Sequence, residues 1–228
     1  MPKNGLIIFC CIMLAMASVP VRAGVNNPDT FVLANYGTLR TLDPAVCYDA
    51  TGSQRIWNLY ETLIFFDGSS TEKYAPLLAL AVPTLDNGGI SPDGKTYSFR
   101  IRPGVKFHEG GNLTPEDVVY SIKRAMIVDP DGGPMWMLLE ALTGHGSTRD
   151  KDGNIISGIF DDIENAVEAK DDRVIFHLPR PFPPLMGILA YSAASALDKE
   201  WAISKGCWDG NIKNAARFNN PPPGHEPL

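Results

Sequence analysis

Hydrophobic and polar residues alternate most sharply just before the middle of the chain. Tyr97, Phe99 and Ile101 fall on one side of an extended backbone, and Ser98, Arg100 and Arg102 fall on the other. A period of two predicts a half-buried strand with its aromatics inward. Ser91-Pro92-Asp93-Gly94 precedes it. Proline presets φ in a turn and glycine accepts the positive φ that a tight reversal needs. Val105 and Phe107 keep the parity beyond Pro103-Gly104, which bends the strand. The period then changes. Val118, Val119, Ile122 and Met126 recur at helical spacing, which predicts a helix with one buried face. Thr114 caps it, Pro115 suits its first position, and Asp117 can return a bond to the cap.

Weaker patterns place the remaining elements. Residues 30–35 are expected to form a short apolar strand. Residues 53–65 read as a helix with Ile56, Leu59, Tyr60 and Leu63 on one face, and Trp57 and Tyr60 as packing residues. A short helical turn is expected around residues 74–79 and a strand near residues 80–85. Residues 135–139 are an apolar segment, and residues 144–158 are a polar, glycine-rich loop or hairpin tip. Residues 160–167 and 173–178 read as two strands joined by Lys170-Asp171-Asp172. Pro181, Pro183 and Pro184 forbid helix and make a stiff crossing into a helix over residues 185–191.

Composition narrows the class. The chain has 228 residues, a formal charge of −6 and 44% hydrophobic residues. That is enough for one large or two small domains, in an α/β (mixed α+β) arrangement. No long basic cluster is present, so nucleic acid is not an expected partner. Residues 1–23 carry an export signal: Lys3, an apolar run over residues 6–17, and Val21-Arg22-Ala23 before cleavage at Gly24. The run falls short of the ~20 residues a spanning helix needs. Cys10 and Cys11 leave with it. Cys47 and Cys207 remain in an oxidising compartment and pair with each other, with cysteines elsewhere, or not at all.

Candidate chemistry is sparse. Asp129-Pro130-Asp131 and Asp150-Lys151-Asp152 open calcium-like stretches, but Pro134 and Ile155 stand where such a loop needs glycine. Both read as plain turns, and no metal or cofactor is expected. No GxSxG elbow, HExxH pair or phosphate loop occurs. His108, His145, His177 and His225 lie far apart, so no catalytic set is expected. A secreted hydrolase, or a non-catalytic domain of one, is the alternative class.

The stretch DGKTYSFRIRPGVKFHEGGNLTPEDVVYSIKRA resembles the signature region of the family 5 extracellular solute-binding proteins, the peptide-binding and related receptors of ABC importers. Lys106-Phe107-His108-Glu109-Gly110 carries glutamate where aspartate is commoner. Leu42-Asp43-Pro44, the segment from Trp57 to Leu63, and Arg180-Pro181-Phe182-Pro183-Pro184 extend the resemblance from about residue 31 to about residue 190. It implies the N-terminal part of a two-lobed periplasmic-binding-protein type II fold, with the extra small domain of the peptide-binding class. Residues 24–66 start the first lobe, 67–179 form the additional domain, 180–228 return to the first lobe, and the second lobe is absent. The resemblance implies a periplasmic, monomeric, non-enzymatic receptor for a peptide or another small solute, such as a nickel complex, a sugar or haem. Its partners are ABC permease subunits in the membrane. By position, Gly37, Thr38 and Leu39 either face the ligand or form a surface turn held by Gly37 and Asp43. Met135 and Trp136 match a segment that comes near the ligand, where Trp136 stacks on it or fills the core. The group that pairs with a peptide's amino end lies in the later lobe, so no residue here is assigned to it.

Overall fold

The alternating segment forms the strand that its period predicts. Tyr97 and Phe99 are buried within Thr96–Arg100, and Arg100 is exposed. The computed structural model describes residues 29–32, 34 and 36–219. Its elements in chain order are α1 (Ala50–Leu59), β1 (Ile64–Phe66), β2 (Tyr74–Pro76), β3 (Thr96–Arg100), α2 (Pro115–Val128), α3 (Trp136–Thr143), α4 (Ile159–Ala166), β4 (Val167–Lys170), β5 (Arg173–His177), α5 (Leu185–Leu189) and α6 (Lys199–Ser204). A 3-10 turn at Ser192–Ala194 and a six-residue 3-10 helix at Ile212–Arg217 flank α6.

Met1–Asn35 and Tyr36–Leu228 are two units, and among the described residues every element lies in the second. The strand expected over residues 30–35 is not formed by its described residues: Thr30, Phe31, Val32 and Ala34 have no ladder partner, and Phe31 and Val32 are exposed. A strand needs a neighbour for its N–H and C=O groups. The expected leader at residues 1–23 and His225 lie outside the described residues.

Two small antiparallel sheets organise the second unit. β1 pairs with β2, Phe65 opposite Ala75. β5 lies between β3 and β4, with Phe99 opposite Val174 and Tyr97 opposite Phe176. Phe99 and Phe176 meet edge to face at 5.6 Å. The turn before β3 closes through Gly94 N–H to Ser91 O at 2.8 Å, and Gly94 takes φ +68°. Against this sheet lies α2. Its periodicity predicts one buried face, yet all of Tyr120, Ser121, Ile122, Lys123, Arg124, Ala125, Met126, Ile127 and Val128 are buried. The helix is wrapped by β4, β5, α3, α4, α6 and the turn at Ser192–Ala194. It is therefore the axle of the unit.

Several expectations are corrected. Residues 159–166 form helix and not strand, because Ile159, Ile163 and Ala166 are buried at helical spacing. Asp161 and Asp162 stand in the first turn, where the helix dipole favours acids. The strand begins only at Val167. The helix expected over residues 53–65 starts earlier, where Asp49 Oδ1 accepts Gly52 N–H at 2.8 Å, and stops at Leu59. Leu59 is exposed, and Ile64 belongs to β1. Strand β2 takes the place of the expected helical turn at residues 74–79. Residues 80–85 make no strand; Ala79 bridges Ile101, and Asn87 and Thr84 then lock a turn. The helix after the prolines is shorter than expected, ending at Leu189. Among the described residues no helix is long and apolar enough to cross a membrane.

Candidate functional site

A buried ion pair positions the first candidate surface. Arg124 Nη1 donates to Asp43 Oδ1 at 2.9 Å, and Nη2 donates to Oδ2. Asp43 is 0% exposed and Arg124 1%. Asp43 is thus no surface-turn residue. Its Oδ1 also accepts Ala45 N–H at 2.9 Å, its N–H donates to Thr41 Oγ1, and its carbonyl accepts Val46 N–H and Cys47 N–H. One carboxylate therefore fixes the loop over residues 41–47 onto α2. Burial disfavours the Arg124 cation, but Asp43 more than offsets this and the guanidinium pKa lies above its ordinary value. Around the pair, burial pushes the Tyr120 phenol and the Cys207 thiol up. Cys47 and Cys207 are both buried free thiols.

That loop presents Tyr48, whose hydroxyl accepts a bond from Trp136 Nε1 at 3.3 Å. Tyr48 is 48% exposed and Trp136 49%. Of the expected pair on this segment, Met135 is fully buried and packs in the core, so Trp136 alone offers a face to solute. Gly37, Thr38 and Leu39 are exposed. A Cβ at Gly37 would stand 1.8 Å from Thr51 Oγ1, so only glycine allows this approach to α1. The pattern that predicted Trp136 did not predict Tyr48 or the ion pair. A signal for the pair was present: Arg124 lies among apolar helix positions, and a charge enclosed there needs a partner.

The signature loop forms a second feature. Leu113 N–H donates to Val105 O and Phe107 N–H to Gly111 O, making a small hairpin. Gly110, at φ +97°, turns it. His108 Nε2 lies 3.2 Å from Leu59 O. A carbonyl only accepts, so Nε2 carries the proton. Between this hairpin, the end of α1 and the start of α6 opens a cavity of about 680 Å³. Ala196 N–H to Glu61 O at 2.9 Å closes one side. Asp117 Oδ2 accepts Thr114 N–H and Oγ1–H, while its Oδ1 accepts Lys199 N–H at 3.0 Å, so the starts of α2 and α6 are tied together.

Comparison with known proteins bears directly on these features. Residues 73–227 match the family model described as bacterial extracellular solute-binding proteins, family 5 Middle. The chain belongs to this family. It is 29% identical over 201 residues to the dipeptide-binding protein of Escherichia coli K12, covering 83% of this chain and 33% of that one. It is 29% identical over 181 residues to the E. coli protein named "Probable deoxycholate-binding periplasmic protein YgiS", covering 78% and 31%. Listeria monocytogenes OppA bound to peptide superposes with a TM-score of 0.57 at 23% identity, over 74% of this chain and 30% of that one. That likeness shows the fold. The mixed α/β class and the receptor-family reading are borne out, and the chain spans about a third of the length of these relatives.

Proposed function

We propose that this chain serves as ligand-binding body in an extracytoplasmic solute receptor that passes its ligand to an ABC import permease, and that the ligand is a peptide. The reading rests on the family match over residues 73–227. The names of the E. coli dipeptide-binding protein and of L. monocytogenes OppA bound to peptide support peptide as the class, while that of the second E. coli relative points to deoxycholate. The structure supplies a fitting surface. Trp136 and Tyr48 are large, half-exposed aromatics held by one hydrogen bond, and they stand on a loop and a helix fixed to the α2 axle. An extended peptide is gripped through its backbone, with side chains resting on such aromatics. In this reading residues 24–66 and 180–228 belong to the lobe that carries the cleft, and residues 67–179 are an additional domain. The receptor holds and releases its solute without chemical change.

Calorimetry of the purified chain with di- and tripeptides tests the proposal. A receptor that clamps its ligand between two lobes shares the contacts, and this chain spans about a third of its relatives. Millimolar binding that Trp136→Ala abolishes is the expected result. Binding unchanged by Trp136→Ala, or turnover of a peptide or ester, overturns it.

A further inference from the structure

The cavity beside the signature loop has walls of a particular chemistry, and neither Tyr48 nor Trp136 lines it. Trp57, Phe107 and Trp201 supply aromatic surface. Glu61, Glu109 and Asp198 line it too, against Lys106 alone as a permanent cation among the described residues. Three carboxylates against one ammonium leave an excess of two negative charges. None of the three is in an ion pair among the described residues. Asp198 is held firmly: its Oδ1 accepts Trp201 N–H at 2.9 Å, and its Oδ2 would touch a Cβ at Gly111 at 2.7 Å. Asp117 and Glu200 bring further carboxylate oxygens within 4.8 Å of it. The negative field at this wall is therefore larger than that of the lining residues alone.

Aromatic faces beside unpaired carboxylates favour one kind of occupant. A ring presents a negative face to a cation, and the mostly apolar walls of this half-open space strengthen that attraction relative to bulk water. Trp201 already shows it, with Lys205 Nζ 5.9 Å from the ring centre. An anion meets the reverse field. A neutral apolar molecule gains burial but leaves the carboxylates without a counter-charge. The volume suits a small organic molecule.

We propose that this cavity binds an organic ammonium ion carrying an aromatic or branched apolar body. A free amine and the amino end of a peptide share that chemistry. This site is separate from the Tyr48–Trp136 surface and does not depend on it.

The test uses the full chain carrying Trp136→Phe, so that tryptophan fluorescence no longer reports the other surface. The probes are phenethylamine, its neutral counterpart 2-phenylethanol, the anion 3-phenylpropionate, and the dipeptide Phe-Ala with and without an N-acetyl cap. Phenethylamine is expected to saturate the signal with a Kd at least about tenfold below that of the alcohol, and the anion to give no response. Glu61 and Glu109 are both exposed, so Glu61→Gln with Glu109→Gln leaves the fold intact by circular dichroism. The double variant weakens the amine about tenfold and leaves the alcohol unchanged. Phe-Ala that matches the amine and fails when acetylated identifies a peptide amino end; amine binding without Phe-Ala binding identifies a free amine. Equal affinity for amine and alcohol overturns the proposal, as does absence of saturation by the amine. A signal that follows self-association in sedimentation assigns the face to a second copy and also overturns it. Loss of peptide binding at Trp136 leaves every one of these outcomes readable.

Discussion

Asp43 and Arg124 lie 81 residues apart, and their side chains are shut away from water together. A buried pair of this kind is weak testimony to stability, because desolvation opposes the attraction. Breaking it is another matter. Arg124→Met leaves the Asp43 carboxylate enclosed with no cation, and such a change costs roughly 3–5 kcal/mol. The double variant Asp43→Asn with Arg124→Met removes both charges, so its cost in urea unfolding is expected to fall well below the sum of the two single costs. Additive costs would show that the two side chains do not act as a unit. This pair was half legible in the sequence. Leu42-Asp43-Pro44 has the composition of a turn, and a turn is usually exposed, which hid the burial of Asp43. Arg124 was enclosed within the run from Ile122 to Met126, but a helical period identifies which residues point inward and not what waits there. The partner came from a segment that local pattern cannot reach.

At the scale of elements, the strand-to-helix unit was the most legible part because several independent signals agreed. Alternation set β3, proline and glycine set its turn, and Thr114-Pro115-Glu116-Asp117 set the start of α2. Asp117 does more than cap. It is buried, accepts twice from Thr114, and holds Lys199 N–H at the start of α6. Thr114→Ala is expected to cost about 1 kcal/mol, the usual loss for a cap. Asp117→Ala removes that hydroxyl bond and also strands the Thr114 and Lys199 amides, so about 2–3 kcal/mol is expected. Amide hydrogen exchange separates the two: Lys199 gains exchange in the Asp117 variant and keeps its protection in the Thr114 variant. Element type failed where signals conflicted. The stretch from Ile159 to Val167 holds β-branched and aromatic residues, which favour strand, but its apolar positions follow a helical period and two acids open it. Burial at that period decided the outcome. The candidate site was legible to a similar degree. Trp136 stood out as an aromatic at the start of an apolar segment, whereas Tyr48 and the cavity beside His108 depend on segments brought together by the fold.

For the whole molecule, the enclosure of α2 has a consequence in alkaline solution. Burial pushes up the thiols of Cys47 and Cys207 and the phenols of Tyr60 and Tyr120. Tyr120 is the most enclosed chemically: its ring stacks on Trp208 at 5.5 Å and its hydroxyl donates to Trp208 O at 2.7 Å. All four groups are neutral when protonated, and the folded chain holds those protons more tightly than the unfolded one. Well below the ordinary thiol value of 9.0 both states keep them, so there these groups leave stability flat. Above the ordinary thiol value of 9.0 and phenol value of 10.0, the unfolded chain releases protons that the folded chain retains. Each release favours unfolding, so stability falls as pH rises. Urea midpoints are expected to agree between pH 7 and 8.5 and to decline from about pH 9 upward. Cys207→Ala lowers the midpoint at every pH through lost packing, yet it flattens the first part of the decline. Tyr120→Phe flattens the later part and costs about 1 kcal/mol throughout for the lost bond to Trp208. Midpoints that hold steady to pH 11 would mean that water already reaches these groups, and with it the centre of the molecule that positions both candidate surfaces.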